Sequence, residues 1–249
     1  MVLMERYTEN NGLVQLHFVP SYFFKIPAGE TIDSIQHFVF ILDCISSIFK
    51  AFIPTIGNEA LVIINDVDSD CPTCYKAAHL IALHTRPTRW SQIAYQFSHE
   101  LCHYCIPGTV DQNLRWFEES VCETAALYFT RVLGYTWRKK NEQLFTISGE
   151  PYSNELIRYA TDMAQDFIVF DLKDPVTRNL LEADCYDRKR NRYLANHLLA
   201  IFDRHPGTWS AIPLLGTIHQ QSLEEALDEW IRVSPSISHP GLQEIRALF

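Results

Sequence analysis

An α+β fold is predicted: a small mixed sheet and two central helices, followed by a mainly helical lobe. Three observations predict it. Short β-branched or alternating runs are confined to the first third of the chain. From Arg86 onward the apolar residues recur almost entirely at helical spacing. No repeat or low-complexity linker divides the sequence, so any cleft lies between two packed halves: a sheet-containing part, 1–110, and a helical part, 111–249.

Leu13 to Val19 alternates apolar and polar residues and reads as a strand. Pro20 and the Pro27-Ala28-Gly29 turn follow. Thr31, with Ser34 three residues later, caps a long helix that runs to about Phe52 and stops before Pro54. Leu61 to Asn65 (LVIIN) is a buried-type strand, and Asp66 to Cys74 is a loop rich in Asp, Ser and Pro. Ala77 to Thr85 reads as a further strand, with helix as the alternative that its Ala, His and Leu content leaves open. The remaining elements are helices: Ser91 to Cys105, ended by Pro107-Gly108; Gln112 to Leu133, ended by Gly134; then Glu142 to Phe145, Ser153 to Phe170, Pro175 to Ala183, Arg188 to Asp203, Ser222 to Val233 and a terminal piece near Leu242 to Leu248.

Composition narrows the function classes. Apolar residues make up 47% of 249, enough for a sizeable core. A net charge of −9 with 21 Lys+Arg argues against a nucleic-acid surface. The basic run Arg188-Lys189-Arg190 reads as a solvated helix face. Seven cysteines, an odd number with several at apolar helical positions, favour a reducing compartment over a disulfide framework. Met1 to Asn11 is polar and does not read as a signal peptide. The apolar window Ile35 to Ile53 contains His37, Asp43 and Lys50, and so reads as a buried helix rather than a membrane span. The expectation is a cytoplasmic protein without a membrane partner; the sequence is silent on oligomeric state.

The chemistry concentrates in Ser98-His99-Glu100-Leu101-Cys102-His103. On a helix, positions i and i+4 share a face, so His99 and His103 can direct two imidazoles at one metal ion. Glu100 stands beside them, where a carboxylate can take a proton from a metal-bound water. A catalytic zinc usually has three protein ligands. The next helix offers Glu118, Glu119 and Glu123, with Glu119 and Glu123 on one face. By spacing alone any of the three could complete the set.

HExxH followed by Trp116-Phe117-Glu118-Glu119-Ser120-Val121-Cys122-Glu123 resembles the gluzincin metallopeptidases, which carry HExxH on one helix and a ligand glutamate on the next, commonly within W-x-N-E-G-x-A-E. The resemblance implies Glu119 as third zinc ligand and Glu123 as the acid that hydrogen-bonds a ligand histidine. Two departures stand out: only fifteen residues separate His103 from Glu119, and Glu118 replaces the usual Asn. The resemblance also implies that Leu61–Asn65 and Ala77–Thr85 belong to a sheet whose edge pairs with an extended peptide. It further implies that Tyr193, or failing that Tyr186, donates a hydrogen bond to the oxyanion. A G-x-M-E-N-like segment, which holds the free amine in the clan's aminopeptidases, is not found, which leans toward an endopeptidase or a narrow substrate.

Other features weigh less. Cys71-Pro-Thr-Cys74 reads as free thiols at a turn. A four-cysteine zinc site using Cys102 and Cys105 would divert His103. His79, His84 and His197 read as structural. The expected activity is zinc-dependent hydrolysis of peptide bonds in a peptide or protein substrate. The competing expectation is a silent zinc-fold binding protein.

Overall fold

A computed structural model describes residues 7–139, 146–147 and 150–249. The fold is α+β. Six strands form one mixed sheet: β1 (Glu9–Asn10), β2 (Leu13–Gln15), β3 (Tyr22–Lys25), β4 (Leu61–Asn65), β5 (Thr73–Tyr75) and β6 (Leu80–Leu83), in the order β1-β2-β3-β4-β6-β5. β3, β4 and β6 run parallel, while β5 pairs antiparallel with β6 at the edge. Thr146–Ile147 and Glu150–Pro151 form a separate two-stranded ribbon.

The parallel pairing of β3 and β4 requires a crossover, supplied by α1 (Ile32–Phe52). The Ser34 hydroxyl accepts the Thr31 N–H at 3.0 Å, which fixes the helix start. By length and composition α1 could cross a membrane. In this fold it is a core helix, burying Ile35, Phe38, Leu42, Ile45 and Phe49 at helical spacing. Its one buried acid, Asp43, accepts the Phe18 N–H at 2.7 Å.

α2 (Trp90–Cys105) packs against α1 and against α3 (Arg115–Lys139). The connection between α2 and α3 is short and turns at Gly108, whose φ is +69°, so the two helices lie side by side. Beyond them come α4 (Tyr152–Gln165), α5 (Pro175–Ala183), α6 (Arg188–Arg204), α7 (Ile212–Leu215), α8 (Leu223–Val233) and α9 (His239–Ala247). α4 and α6 pack on α3. One continuous core runs from Val14 in the sheet to Ile245 in α9 and so spans both parts divided at 110/111.

Several boundaries differ from expectation. The strand expected over Leu13 to Val19 ends at Gln15, and β3 follows it after the connection 16–21. Thr73 and Cys74, expected at the end of the Asp66–Cys74 loop, belong with Tyr75 to edge strand β5, because antiparallel pairing with β6 satisfies their backbone on one side. The Ala77–Thr85 strand shortens to β6, since Lys76–Ala78 is a 3-10 turn closed by His79 at φ 49°. Gly134 does not end α3. It is the point where α4 crosses: a Cβ there would lie 2.8 Å from Ile157 Cγ1 and 3.0 Å from the Ser153 carbonyl oxygen. The helix expected over Ser153 to Phe170 stops at Gln165, and α7 with the 3-10 segment Pro206–Ala211 was not foreseen. The stretch Glu142 to Phe145 lies outside the described residues.

Candidate metal centre

α2 and α3 bring His99, His103 and Glu119 together. The Nε2 atoms of His99 and His103 are 3.2 Å apart. The Glu119 carboxylate lies 3.4 Å from His99 Nε2 and 3.5 Å from His103 Nε2. The two distances end on different oxygens, Oε2 toward His99 and Oε1 toward His103, so the carboxylate faces both imidazoles at once. One ligand atom from each residue lies within 4.8 Å of the other two, and the three groups can hold a metal ion.

The far nitrogens explain the orientation. His103 Nδ1 donates to Glu118 Oε1 at 2.8 Å, and Lys76 Nζ reaches the same oxygen at 2.8 Å. His99 Nδ1 faces Glu123 Oε2 at 3.6 Å. Glu123 is held in turn by the Tyr95 hydroxyl and by Arg192 Nε, the latter at 2.7 Å. A neutral imidazole whose Nδ1 faces a carboxylate carries its proton there, which leaves its Nε2 lone pair for a ligand at the shared position.

Burial pushes the Glu119 and Glu123 carboxyls up, but both are held down: Glu119 by the two imidazoles, and Glu123, at about 2, by His99, Arg192 and the Tyr95 hydroxyl. Burial likewise disfavours charge on His103, yet its hydrogen bonds to Glu118 and Glu119 raise it to about 9. The cluster contains four carboxylates (Glu100, Glu118, Glu119, Glu123) and two fixed cations, Lys76 and Arg192. Glu100 differs from the others: burial pushes its carboxyl up, the imidazoles pull it back only in part, and no hydrogen bond engages it among the described residues.

The centre lies in a cleft of about 990 Å³, with Thr73 and Cys74 of β5 on one wall. No other strand pairs with the outer side of β5 among the described residues. Tyr186 lines this cleft. Tyr193 does not: its ring packs on Phe167, Phe170 and His197. The reason is helical phase. Arg192, one residue earlier, is the position of α6 that faces Glu123, so Tyr193 is turned about 100° away.

The remaining expectations sort as follows. Cys102 and Cys105 are buried in the core, and all seven cysteines are free. His79 bonds the Tyr104 hydroxyl at 2.9 Å and His84 approaches the Asp66 carbonyl oxygen at 3.3 Å, both structural contacts. Within Arg188-Lys189-Arg190, Lys189 and Arg190 pair with Asp166 and Asp187, whereas Arg188 lines the cleft. Glu118, Lys76, Tyr95 and Arg192 were not singled out as supporting residues. The adjacent Glu118-Glu119 pair was the available signal: neighbours on a helix diverge by about 100°, so one can meet the metal while the other meets the back of a ligand. Glu118→Gln is expected to weaken metal affinity by about 10- to 100-fold with the fold intact, measured by competition with a calibrated chelator.

Comparison with protein-family models, curated proteins and solved structures finds no match to this chain.

Proposed function

We propose that the chain is a zinc-dependent peptidase of gluzincin-like design, with His99, His103 and Glu119 as metal ligands. The observation that carries this reading is the convergence of three ligand atoms beside a buried, unpaired Glu100, at the foot of a cleft walled by a free strand edge. Bound there, zinc supplies Lewis-acid polarisation and lowers the pKa of water toward 7.

The chain's own residues supply the rest. An extended peptide adds to the outer edge of β5 through main-chain hydrogen bonds, laying its backbone across the cleft. Glu100 accepts a proton from the attacking water and delivers it to the nitrogen of the leaving amine as the C–N bond breaks. Its raised pKa suits both halves of that transfer. Tyr186 is the tyrosine lining the cleft and takes the oxyanion-donor role in this reading, in place of Tyr193. Glu118 and Glu123 keep the imidazoles in the ligating tautomer. The free cysteines support a reducing, cytoplasmic setting.

The test is metal content followed by cleavage. The purified protein should hold one zinc per chain, and Glu119→Ala should lose it or bind it far more loosely. The zinc-loaded parent should cleave members of a random peptide library, stop with chelator and resume when zinc is restored. A parent protein with no affinity for divalent metal would sink the reading, and zinc binding without cleavage of any peptide would leave a binding protein in its place.

A further inference from the structure

The cleft contains four cations besides the histidines, and they fall into two kinds. Lys76 and Arg192 are committed to Glu118 and Glu123. Arg115 and Arg188 hold no carboxylate at all among the described residues, although both line the cleft and both are exposed. Elsewhere Arg131 holds Asp203, Arg178 holds Glu224 and Arg246 holds Asp228, whereas Arg89 and Arg138 bond the neutral amides of Gln92 and Asn154. What sets Arg115 and Arg188 apart is their shared place on the cleft wall.

Local acids are available to Arg188 but are used otherwise. Asp187 caps α6 and pairs with Arg190, and Asp184 accepts the Tyr186 N–H at 3.1 Å. Arg188 is also the first residue of α6, the end of a helix where its dipole disfavours a cation. Stability does not account for its placement. The two guanidinium groups come from different helices, α3 and α6, with Cys185 and Tyr186 also on that part of the wall. Arg188 lies close enough to Glu100 to act on its carboxyl, and Arg115 acts on Cys185 and Tyr186.

We propose that Arg115 and Arg188 form a carboxylate-binding subsite of this cleft, so that the preferred peptide carries a carboxylate near the bond to be cut. The inference rests on the peptidase reading for the identity of the ligand. Guanidinium forks match carboxylates in bidentate geometry, and an acidic protein with two unpaired arginines at one cleft attracts anionic peptide there and repels it elsewhere. The carboxylate has two sources, an acidic side chain inside the peptide or a free C-terminus.

The experiment uses fluorescein-labelled hexapeptide pools with Glu or Gln fixed at one position, each made with a free acid or an amidated C-terminus. Binding to the zinc-loaded Glu100→Gln protein is read by anisotropy, so no turnover is needed. Carboxylate pools should bind about tenfold more tightly than their neutral counterparts. The preference should shrink at high salt, and it should vanish in an Arg115→Gln/Arg188→Gln variant of unchanged zinc content. A preference that follows Glu against Gln identifies a side-chain source; one that follows acid against amide identifies the C-terminus. Equal binding of all pools, including no binding by any, overturns the subsite, as does a preference that persists in the double variant. The two readings fail separately. Cleavage by the parent without carboxylate preference removes only the subsite, and carboxylate-selective binding without cleavage removes only the peptidase.

Discussion

Replacing Glu100 by Gln should leave zinc bound and lower peptide turnover by about 10²- to 10⁴-fold, the range attributed to a positioned general base. The substitution is nearly isosteric, and the carboxylate it removes has no protein partner among the described residues, so no network collapses with it. The three ligand atoms belong to His99, His103 and Glu119 and stay in place. Amide for carboxylate removes only the capacity to take a proton. Metal content and kcat/KM should be measured on the same preparation. A variant that cleaves at the parental rate would remove Glu100 from the mechanism, whatever the metal does.

The largest stability effect is expected at Arg192. Replacement by Met keeps much of the aliphatic volume but strips the charge from a side chain that is 4% exposed. Arg192 Nε reaches Glu123 at 2.7 Å, and Nη1 reaches the Asp166 carbonyl oxygen at 3.0 Å and its carboxylate at 3.1 Å. Breaking a buried pair by removing one partner leaves an uncompensated charge and costs about 3–5 kcal/mol. For a chain of this length that corresponds to a fall in Tm of roughly 10 °C. Burial pushes the Glu123 carboxyl up, but the His99 imidazole, the Arg192 guanidinium and the Tyr95 hydroxyl together hold it at about 2 against an ordinary 4.5. A carboxyl depressed in the folded state lends stability that is complete above pH 4.5 and is lost as pH falls to about 2, because the unfolded chain binds the proton first. The deficit of Arg192→Met should therefore be full at neutral pH and narrow on acidification through that window. Denaturant melts of metal-free protein at several pH values measure both. A neutral-pH loss below about 1 kcal/mol, the scale of an exposed pair, would show that the charge is not buried in solution.

The parts legible in the sequence were those in which one segment carries its own signal. HExxH has helical spacing within a single helix, α1 has a cap and a breaking proline, and LVIIN is β-branched throughout; each of these emerged where it was read. What was missed depends on partners distant in the chain. Residues 73–75 become a strand only because β6 offers them a free edge. Gly134 looked like a helix stop because its close contact with α4 is invisible from its neighbours. Arg192 and Tyr193 differ by one helical step, and nothing local to 188–204 shows which of them faces Glu123. Likewise the seat of Glu118 behind His103 follows from how closely α2 and α3 lie, which the short loop implies but does not specify.

Lys76 is the residue immediately after the edge strand, and its ammonium ends on the carboxylate that holds the back of His103. The rim where a peptide would dock and the metal's own ligand are thus joined through two 2.8 Å contacts. A peptide that draws this corner of the sheet toward itself shifts the lysine, and with it the electron density that Glu118 lends to the imidazole. By thermodynamic reciprocity, any factor by which an occupied rim tightens the hold on the ion is the same factor by which the ion tightens the hold on the peptide. If an occupied rim tightens the site, a chelator at equilibrium should take less of the ion from a protein saturated with a non-cleavable peptide, and Lys76 is the residue through which that protection would pass.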